Sequence, residues 1–295
     1  MAKQSPFGGS IVALVTPMGD DGAIDWDCLE RLVEWHVEAK TAGIVAAGTT
    51  GESPTLSFAE HRELIAKTVK LAAGRVPVIA GTGANSTTEA IDLTRSACDD
   101  GADACLSVVP YYNKPSQEGL LRHFTAIADA ASKPVILYNV PGRTITDLAD
   151  NTLLLLSEHE RIAGVKDATG DVNRLRIQQK LISRADFRYL SGDDGTACDY
   201  MLAGGHGVIS VSANVAPATC ARLAAAAAAN EEEQAFEASD RLLAFNRLQA
   251  CEANPIPVKW ALHHLGKAGP GIRLPLTPLG EKHRKGVAMA VEGLE

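Results

Sequence analysis

The sequence predicts an α/β fold: a (β/α)₈ TIM barrel followed by a C-terminal helical extension. Two observations support this prediction. Eight short apolar runs alternate with amphipathic helical segments, and beyond Asn230 the pattern is helical only. Near-continuous apolar runs are typical of parallel strands that are covered on both faces. Eight strand–helix units allow a closed barrel or a doubly wound open sheet, but the first run is not followed by Gly-x-Gly-x-x-Gly, which weakens the open-sheet alternative.

The predicted strands are short and β-branched, and together with the helices between them they account for residues 1–229. They cover residues 10–16, 43–47, 76–81, 104–109, 134–139, 162–166, 187–191 and 207–212. We therefore predict residues 1–229 to form the catalytic barrel. Residues 230–295 are predicted to form a C-terminal helical domain packed on it.

Capping boxes indicate where two of the helices begin. In this motif a Ser or Thr side chain and a Glu three residues later satisfy the free backbone N–H groups of the first turn. Ser57 with Glu60 and Ser86 with Glu89 fit the pattern. The first of these helices should bury one face, which contains Phe58, His61, Ile65, Val69 and Ala72.

The net charge excludes some classes of partner. The chain carries a formal charge of −8 at pH 7, which disfavours binding to nucleic acid or to an anionic membrane surface. No apolar run of 18 residues is found, and the six cysteines are scattered without zinc-like spacing. We expect a cytoplasmic protein whose anionic substrates, if any, are bound by a local cation.

Lys166 is set into the apolar run 162–166. A buried ammonium must be paired, must cost several kcal/mol, or must lose its proton. Desolvation that lowers the pKa of a lysine also makes the amine nucleophilic enough to attack a ketone and form a Schiff base. The local sequence leaves open the alternative that Lys166 only reaches a surface carboxylate.

Polar residues follow the ends of the other predicted strands, where TIM barrels place their active sites. Residues 48–53, Gly-Thr-Thr-Gly-Glu-Ser, can turn N–H groups and hydroxyls toward a small carboxylate. Tyr111 and Tyr112 follow the fourth strand, and Tyr138 and Arg143 belong to the fifth strand and its loop. Taken singly, Tyr138 could be a core residue and Arg143 a surface turn residue.

These strand ends do not favour a metal site. They contain no histidine, and the adjacent pair Asp193 and Asp194 is interpreted as turn and capping chemistry. The same two carboxylates disfavour a phosphorylated substrate.

Three motifs together resemble the pyruvate-dependent class I aldolase and lyase superfamily and, within it, the dihydrodipicolinate (4-hydroxy-tetrahydrodipicolinate) synthases. They are residues 48–52 (Gly-Thr-Thr-Gly-Glu), 138–144 (Tyr-Asn-Val-Pro-Gly-Arg-Thr) and 165–170 (Val-Lys-Asp-Ala-Thr-Gly). The resemblance runs essentially end to end and includes residues 81–85, 110–116 and 254–259.

The resemblance implies a lyase of the diaminopimelate and lysine biosynthetic pathway. Lys166 would form an imine with pyruvate, and the derived enamine would add to L-aspartate 4-semialdehyde without any cofactor. Tyr138 would be the acid–base group, with Thr49 or Thr50 and Tyr112 as relay partners. Tyr112 would act across a dimer interface in a homotetramer, a dimer of tight dimers.

Substrate binding is implied for a second group of residues. Arg143 would hold the carboxylate of the aldehyde, as an arginine fork suits a planar carboxylate. Gly192 and Ile209 would line the pyruvate pocket through their backbones, and Thr50 would contact the substrate.

The resemblance also implies a regulatory site at which L-lysine inhibits. The residues that align with it are Ser53, Pro54, Leu56, Phe58, His61, Asn85, Glu89 and Tyr111. Most keep the character needed to hold an amino acid, but Phe58 stands where some members have a histidine and Pro54 replaces a smaller residue.

Other functions remain open at this point. N-acetylneuraminate lyase and 2-keto-3-deoxy-sugar-acid aldolases would keep the same lysine and tyrosine. Arg143 and the pair Tyr111 and Tyr112 favour a short dicarboxylate-like product over a long polyol. A barrel without catalysis, acting as a binding protein, is the alternative from another class.

Overall fold

Eight parallel strands close into a barrel in chain order, which confirms the predicted fold class. The computed structural model describes residues 7–294. The strands are β1 (Gly9–Ala13), β2 (Gly43–Ala46), β3 (Val78–Gly81), β4 (Ala104–Val108), β5 (Val135–Asn139), β6 (Ile162–Asp167), β7 (Arg188–Ser191) and β8 (Gly207–Ser210). The barrel closes where β1 pairs with β8, from Gly9 opposite Gly207 to Val12 opposite Ser210.

Twelve α-helices are formed by the described residues. They are α1 (Trp26–Glu38), α2 (Phe58–Ala72), α3 (Thr87–Asp99), α4 (Gln117–Ala130), α5 (Pro141–Thr144), α6 (Asp150–Ser157), α7 (Val172–Leu181), α8 (Ala197–Leu202), α9 (Pro217–Ala228), α10 (Glu232–Leu248), α11 (Ile256–His264) and α12 (Glu281–Val291). None of them is long and apolar enough to cross a membrane.

Seven of the eight strands are shorter than predicted and β6 is one residue longer, and the largest difference at a strand end is at β1. The sequence predicts β1 to reach residue 16, but the strand ends at Ala13. Beyond it, the Val15 N–H donates to Asn214 Oδ1 at 3.0 Å and the Thr16 hydroxyl donates to the Gly51 carbonyl at 2.6 Å. The chain leaves the barrel here because its polar groups bond to loops at the C-terminal rim of the strands.

The capping box that opens α2 is complete. Ser57 accepts from the Glu60 N–H, and the Glu60 carboxylate accepts from the Ser57 N–H. At α3 the side chain of Ser86 accepts from the Glu89 N–H. The prediction that Phe58 lies on the buried face of α2 is wrong, because this first residue of the helix is 50% exposed.

Two apolar layers hold the barrel together. Side chains that point inward fill its interior, including Ile11, Ile79, Leu106 and Ile136. A larger layer lies between the outer faces of the strands and the surrounding helices, with Phe124 among its fully buried members. Successive side chains on a strand face opposite layers, so a polar side chain on the inner face near a strand end must point into the barrel mouth.

The C-terminal extension is attached to the barrel through buried charges. Lys259 on α11 forms an ion pair with Glu52, and both side chains are almost fully buried. The second Glu52 carboxylate oxygen accepts from the Arg273 N–H at 3.0 Å, and the Arg273 guanidinium donates to Glu60. These bonds tie the extension to the segment that joins β2 and α2. That residues 230–295 form a separate domain stays a prediction.

Candidate active site

A cavity of about 270 Å³ opens at the C-terminal ends of the strands. Six of the eight residues predicted for catalysis and substrate binding line it, namely Thr49, Thr50, Tyr138, Arg143, Lys166 and Gly192. They come from four strands or the loops that follow them. The barrel therefore brings together in one cavity residues that lie more than 140 positions apart in the sequence, from Thr49 to Gly192.

Lys166 lies at the floor of this cavity. It is only 6% exposed, and its Nζ lies 4.2 Å from the ring centroid of Tyr138, its neighbour on β5. Burial lowers the pKa of Lys166 to about 8; the Asp194 carboxylate opposes this shift and the Arg143 guanidinium adds to it. The amine is thus deprotonated far more often near neutral pH than an ordinary lysine, as a nucleophile requires.

Tyr138 stands beside the amine as a protonated phenol. Burial raises its pKa, while the Arg143 guanidinium and a hydrogen bond with Thr49 act in the opposite direction. A phenol that exchanges a hydrogen bond with a neighbouring hydroxyl can pass a proton to or from a reacting atom. The Thr49 hydroxyl lies beside the phenol. That the two residues act as a proton relay stays a prediction.

Gly192 lies too close to Lys166 for a side chain to fit at this position. A Cβ atom at this position would lie 2.8 Å from the Cβ of Ala168 and 3.0 Å from the Cε of Lys166. Any side chain here would displace the end of the nucleophile. Position 192 is therefore a glycine because Ala168 and Lys166 leave no room for a Cβ atom.

Three polar residues lie together in the wall of the cavity. Thr50 is 2% exposed, and its Oγ1 accepts a hydrogen bond from Asn254 Nδ2 at 3.0 Å. The Nη2 of Arg143 donates to the backbone carbonyl of Asn254 at 3.0 Å. A guanidinium and a threonine hydroxyl in one wall make a binding site for carboxylates.

The sequence analysis missed Asn254 and Asp194 as parts of the site. Asn254 lies in a segment that supported the resemblance, yet nothing local indicated that it lines the cavity. Asp193 has the predicted turn role, because it accepts from the N–H of Thr196 at 3.0 Å. Asp194 accepts from the N–H of Val211 at 2.8 Å, and both aspartates line the cavity.

Two predicted residues are not brought to the cavity. Ile209 is 1% exposed and packs in the barrel interior, opposite Ile11 of β1. Tyr112 is 89% exposed in the loop after β4 and does not line the cavity of its own chain. Among residues 7–294 no group of three or more His, Cys, Asp or Glu side chains could hold a metal ion.

A network of charges lies behind the two reactive residues. Asn139 and Asp167 follow Tyr138 and Lys166 directly and face the opposite side of the sheet. Arg174 joins the two strand ends: its guanidinium lies 3.2 Å from Asp167 Oδ2 and 2.8 Å from Asp147 Oδ1, which also accepts from Asn139. This network fixes the ends of β5 and β6.

A second, larger cavity of about 710 Å³ adjoins the first. All eight residues predicted for the lysine site line it, and Thr49, Ser53 and Arg143 line both cavities. Burial lowers the pKa of His61, which is therefore neutral near pH 7. Burial and the nearby Glu89 raise the pKa of Tyr111. The second cavity thus contains carboxylate, phenol, amide and imidazole groups, and it shares part of its wall with the first cavity.

Known proteins of similar sequence and fold agree with the predicted resemblance. A family model for the dihydrodipicolinate synthetase family matches residues 6–294. A 4-hydroxy-tetrahydrodipicolinate synthase of Alcanivorax borkumensis is 58% identical over 273 residues, 92% of either chain.

Two solved structures show the same similarity. A chloride-inhibited dihydrodipicolinate synthase of Acinetobacter baumannii, complexed with pyruvate, is 52% identical with a TM-score of 0.95 and covers 97% of this chain and 98% of its own. A dihydrodipicolinate synthase of Cyanidioschyzon merolae with lysine bound is 38% identical with a TM-score of 0.94, covering 98% and 99%. With a family model matched over nearly its whole length, the chain belongs to the dihydrodipicolinate synthetase family.

Proposed function

We propose that the chain is a lyase that condenses pyruvate with L-aspartate 4-semialdehyde, the reaction of 4-hydroxy-tetrahydrodipicolinate synthases in lysine and diaminopimelate biosynthesis. The observation that carries the proposal is the pairing of Lys166, a buried amine of lowered pKa, with the phenol of Tyr138 at the floor of a cavity walled by Arg143. The relatives of the same family support this choice of substrates.

The first half of the proposed reaction builds a nucleophile from pyruvate. The neutral Nζ of Lys166 attacks the ketone carbon, and loss of water gives an imine. Tyr138, hydrogen-bonded to Thr49, supplies the proton for the departing hydroxyl. Removal of a proton from the methyl carbon converts the imine to an enamine, so the lysine itself takes the part of a cofactor.

The second half consumes the aldehyde. The enamine carbon attacks the aldehyde of L-aspartate 4-semialdehyde, whose carboxylate is held by Arg143 at the cavity wall. The amino group of that substrate then displaces Lys166 by transimination, which closes the ring and frees the enzyme. Arg143 is thus the local cation that an acidic chain needs in order to bind this anionic substrate.

A comparison of aldehydes tests the substrate assignment. With pyruvate as the donor, we expect kcat/KM for L-aspartate 4-semialdehyde to exceed that for N-acetylmannosamine or a sugar aldehyde by at least about 100-fold, because a long polyol leaves the Arg143 guanidinium unpaired. Preference for the sugars would indicate a sister lyase or aldolase. No turnover with any aldehyde, in a folded protein, would favour a binding function.

The proposal includes a dimer in which each chain supplies Tyr112 to the site of its partner. Its support is the placement of Tyr112, 89% exposed and outside the cavity of its own chain. The further assembly of two such dimers into a tetramer, and a cytoplasmic location, remain predictions.

Subunit mixing tests this use of Tyr112. Dimers that combine a Lys166→Ala chain with a Tyr112→Phe chain should recover about half of the wild-type activity, because the site that keeps its lysine receives the intact tyrosine of the other chain. Each parent homodimer serves as the control and should be impaired. Mixed dimers no more active than Tyr112→Phe dimers would show that Tyr112 acts within its own chain.

Lysine is proposed as an inhibitor that binds the second cavity. The carboxylate of Glu89 suits the ammonium of an amino acid, and Arg143 and Thr49 lie in the wall shared with the active site. Replacing Glu89 by Gln should raise the lysine concentration for half-inhibition about tenfold or more without changing the uninhibited rate. Glu63→Gln, on the exposed face of α2, is the matched control. Wild-type turnover that is unchanged at saturating lysine would end this part of the proposal.

A further inference from the structure

Asn254 joins two groups of the cavity wall that can bind a carboxylate, the Thr50 hydroxyl and the Arg143 guanidinium. Its side-chain nitrogen lies 3.0 Å from Thr50 Oγ1, which follows β2, and its backbone oxygen lies 3.0 Å from Nη2 of Arg143 on α5. Among the described residues of the C-terminal extension, only Asn254 forms hydrogen bonds with both, and it lines the cavity. Its place is therefore between the barrel loops and not on the surface of the extension.

The direction of the hydrogen bond to Thr50 has a chemical consequence. A threonine hydroxyl has one proton to donate and two lone pairs. The Asn254 amide donates to one lone pair, so the Thr50 proton must be given elsewhere, and among residues 7–294 the Thr50 hydroxyl donates no hydrogen bond to a protein acceptor. Thr50 lines the cavity, so its O–H is left for a ligand.

The backbone at Asn254 is held close to the Thr50 loop. Asn254 stands two residues before α11, whose Lys259 forms the buried ion pair with Glu52. Glu52 is itself two residues from Thr50. The extension therefore contacts the Thr50 loop at two points, and its backbone cannot move away from this loop without breaking a buried charge pair, which is costly.

We propose that Asn254 is a positioning residue that sets the polarity of the Thr50 hydroxyl, so that it donates its proton to the carboxylate of pyruvate. The proposal rests on the proposed function, because it takes pyruvate as the ligand. It assigns to the C-terminal extension a part in binding the first substrate. Asn254 acts through Thr50 and does not itself touch the reacting atoms.

The substitution Asn254→Asp tests this polarity with little change of shape. An aspartate carboxylate accepts hydrogen bonds and donates none, so the Thr50 hydroxyl would turn its proton toward residue 254 and present a lone pair to the substrate carboxylate. The readout is the pyruvate concentration that gives half-maximal borohydride trapping, which needs no aldehyde. We expect this concentration to rise at least about tenfold, with an unchanged melting temperature.

A double-mutant cycle separates polarity from the added negative charge. In a Thr50→Val background, which lacks the hydroxyl, Asn254→Asp should raise the half-saturating pyruvate concentration by less than about threefold. An equal penalty in both backgrounds would mean that the charge beside Arg143 repels pyruvate, and would overturn the proposal. An unchanged concentration in Asn254→Asp alone would overturn it as well.

Asn254→Ala keeps the proposal testable if the aspartate variant does not fold. Without a donor the Thr50 hydroxyl rotates freely, so alanine should weaken pyruvate binding about two- to fivefold, less than aspartate, and should have no effect in the Thr50→Val background. An alanine penalty that persists in Thr50→Val would assign Asn254 a packing role only. If the wild-type protein yields no pyruvate adduct, the proposed function itself is refuted. If the wild type forms the adduct normally and the Asn254 variants bind pyruvate as it does, only the role of Asn254 is refuted.

Discussion

Replacement of Lys166 by alanine should abolish the adduct formed with pyruvate and borohydride and should lower kcat/KM by at least about 1,000-fold. The expectation follows from the position of the amine: it is 6% exposed, and no other lysine lines the cavity formed by the described residues. Removing it takes away the bond that holds pyruvate and the electron sink for the enamine. Peptide mapping of the wild-type adduct should place the added mass on Lys166.

The pH dependence of trapping gives a second check on the same residue. Only the unprotonated amine attacks, so the initial rate in the wild type should rise with pH and level off above about pH 8, where Lys166 has lost its proton. A rate that keeps rising toward pH 10.5 would describe an ordinary exposed lysine, and would contradict the burial that lowers the pKa.

The control for Lys166→Ala is Lys180→Ala, an exposed lysine on α7. It should keep both the adduct and the turnover of the wild type. Circular dichroism and the melting temperature show whether the alanine at position 166 disturbs the fold, since it removes a buried side chain. A stable Lys166→Ala protein that still forms an adduct would locate the nucleophile elsewhere and would contradict the mechanism.

The strand pattern and the resemblance together could predict Lys166 and Tyr138, because a side chain on the inner face near a strand end points into the barrel mouth. They could not predict Asn254, whose partner Thr50 lies 204 positions away in the chain. The polarity of that contact exists only after the extension has packed on the barrel. No periodicity or spacing near Asn254 carries such information.

The charge network behind β5 and β6 also depends on contacts between distant parts of the chain. Arg174 was not singled out because its role depends on Asp147 and Asp167, which reach it from a loop and from a neighbouring strand. Ile209 shows the opposite case. The strand pattern places its side chain correctly in the core, and Val211, the first residue after β8, lines the cavity.

The Tyr138→Phe variant should separate the two halves of the reaction. The ring that packs 4.2 Å from the lysine amine is retained, so the amine keeps its apolar surroundings and imine formation with pyruvate should remain detectable. The lost hydroxyl is the one that exchanges a hydrogen bond with Thr49. Without this proton relay we expect kcat to fall about 100- to 10,000-fold.

Tyr200→Phe is the matched control, because Tyr200 is equally buried, lies on α8 outside the cavity, and has a hydroxyl without a hydrogen-bond partner among the described residues. It should keep the wild-type kcat. If Tyr138→Phe also kept it, the phenol would be a packing residue and the proton would have to come from another group. If Thr49→Val lowered kcat in the wild type but not in Tyr138→Phe, the two hydroxyls would act as one relay, as their hydrogen bond indicates.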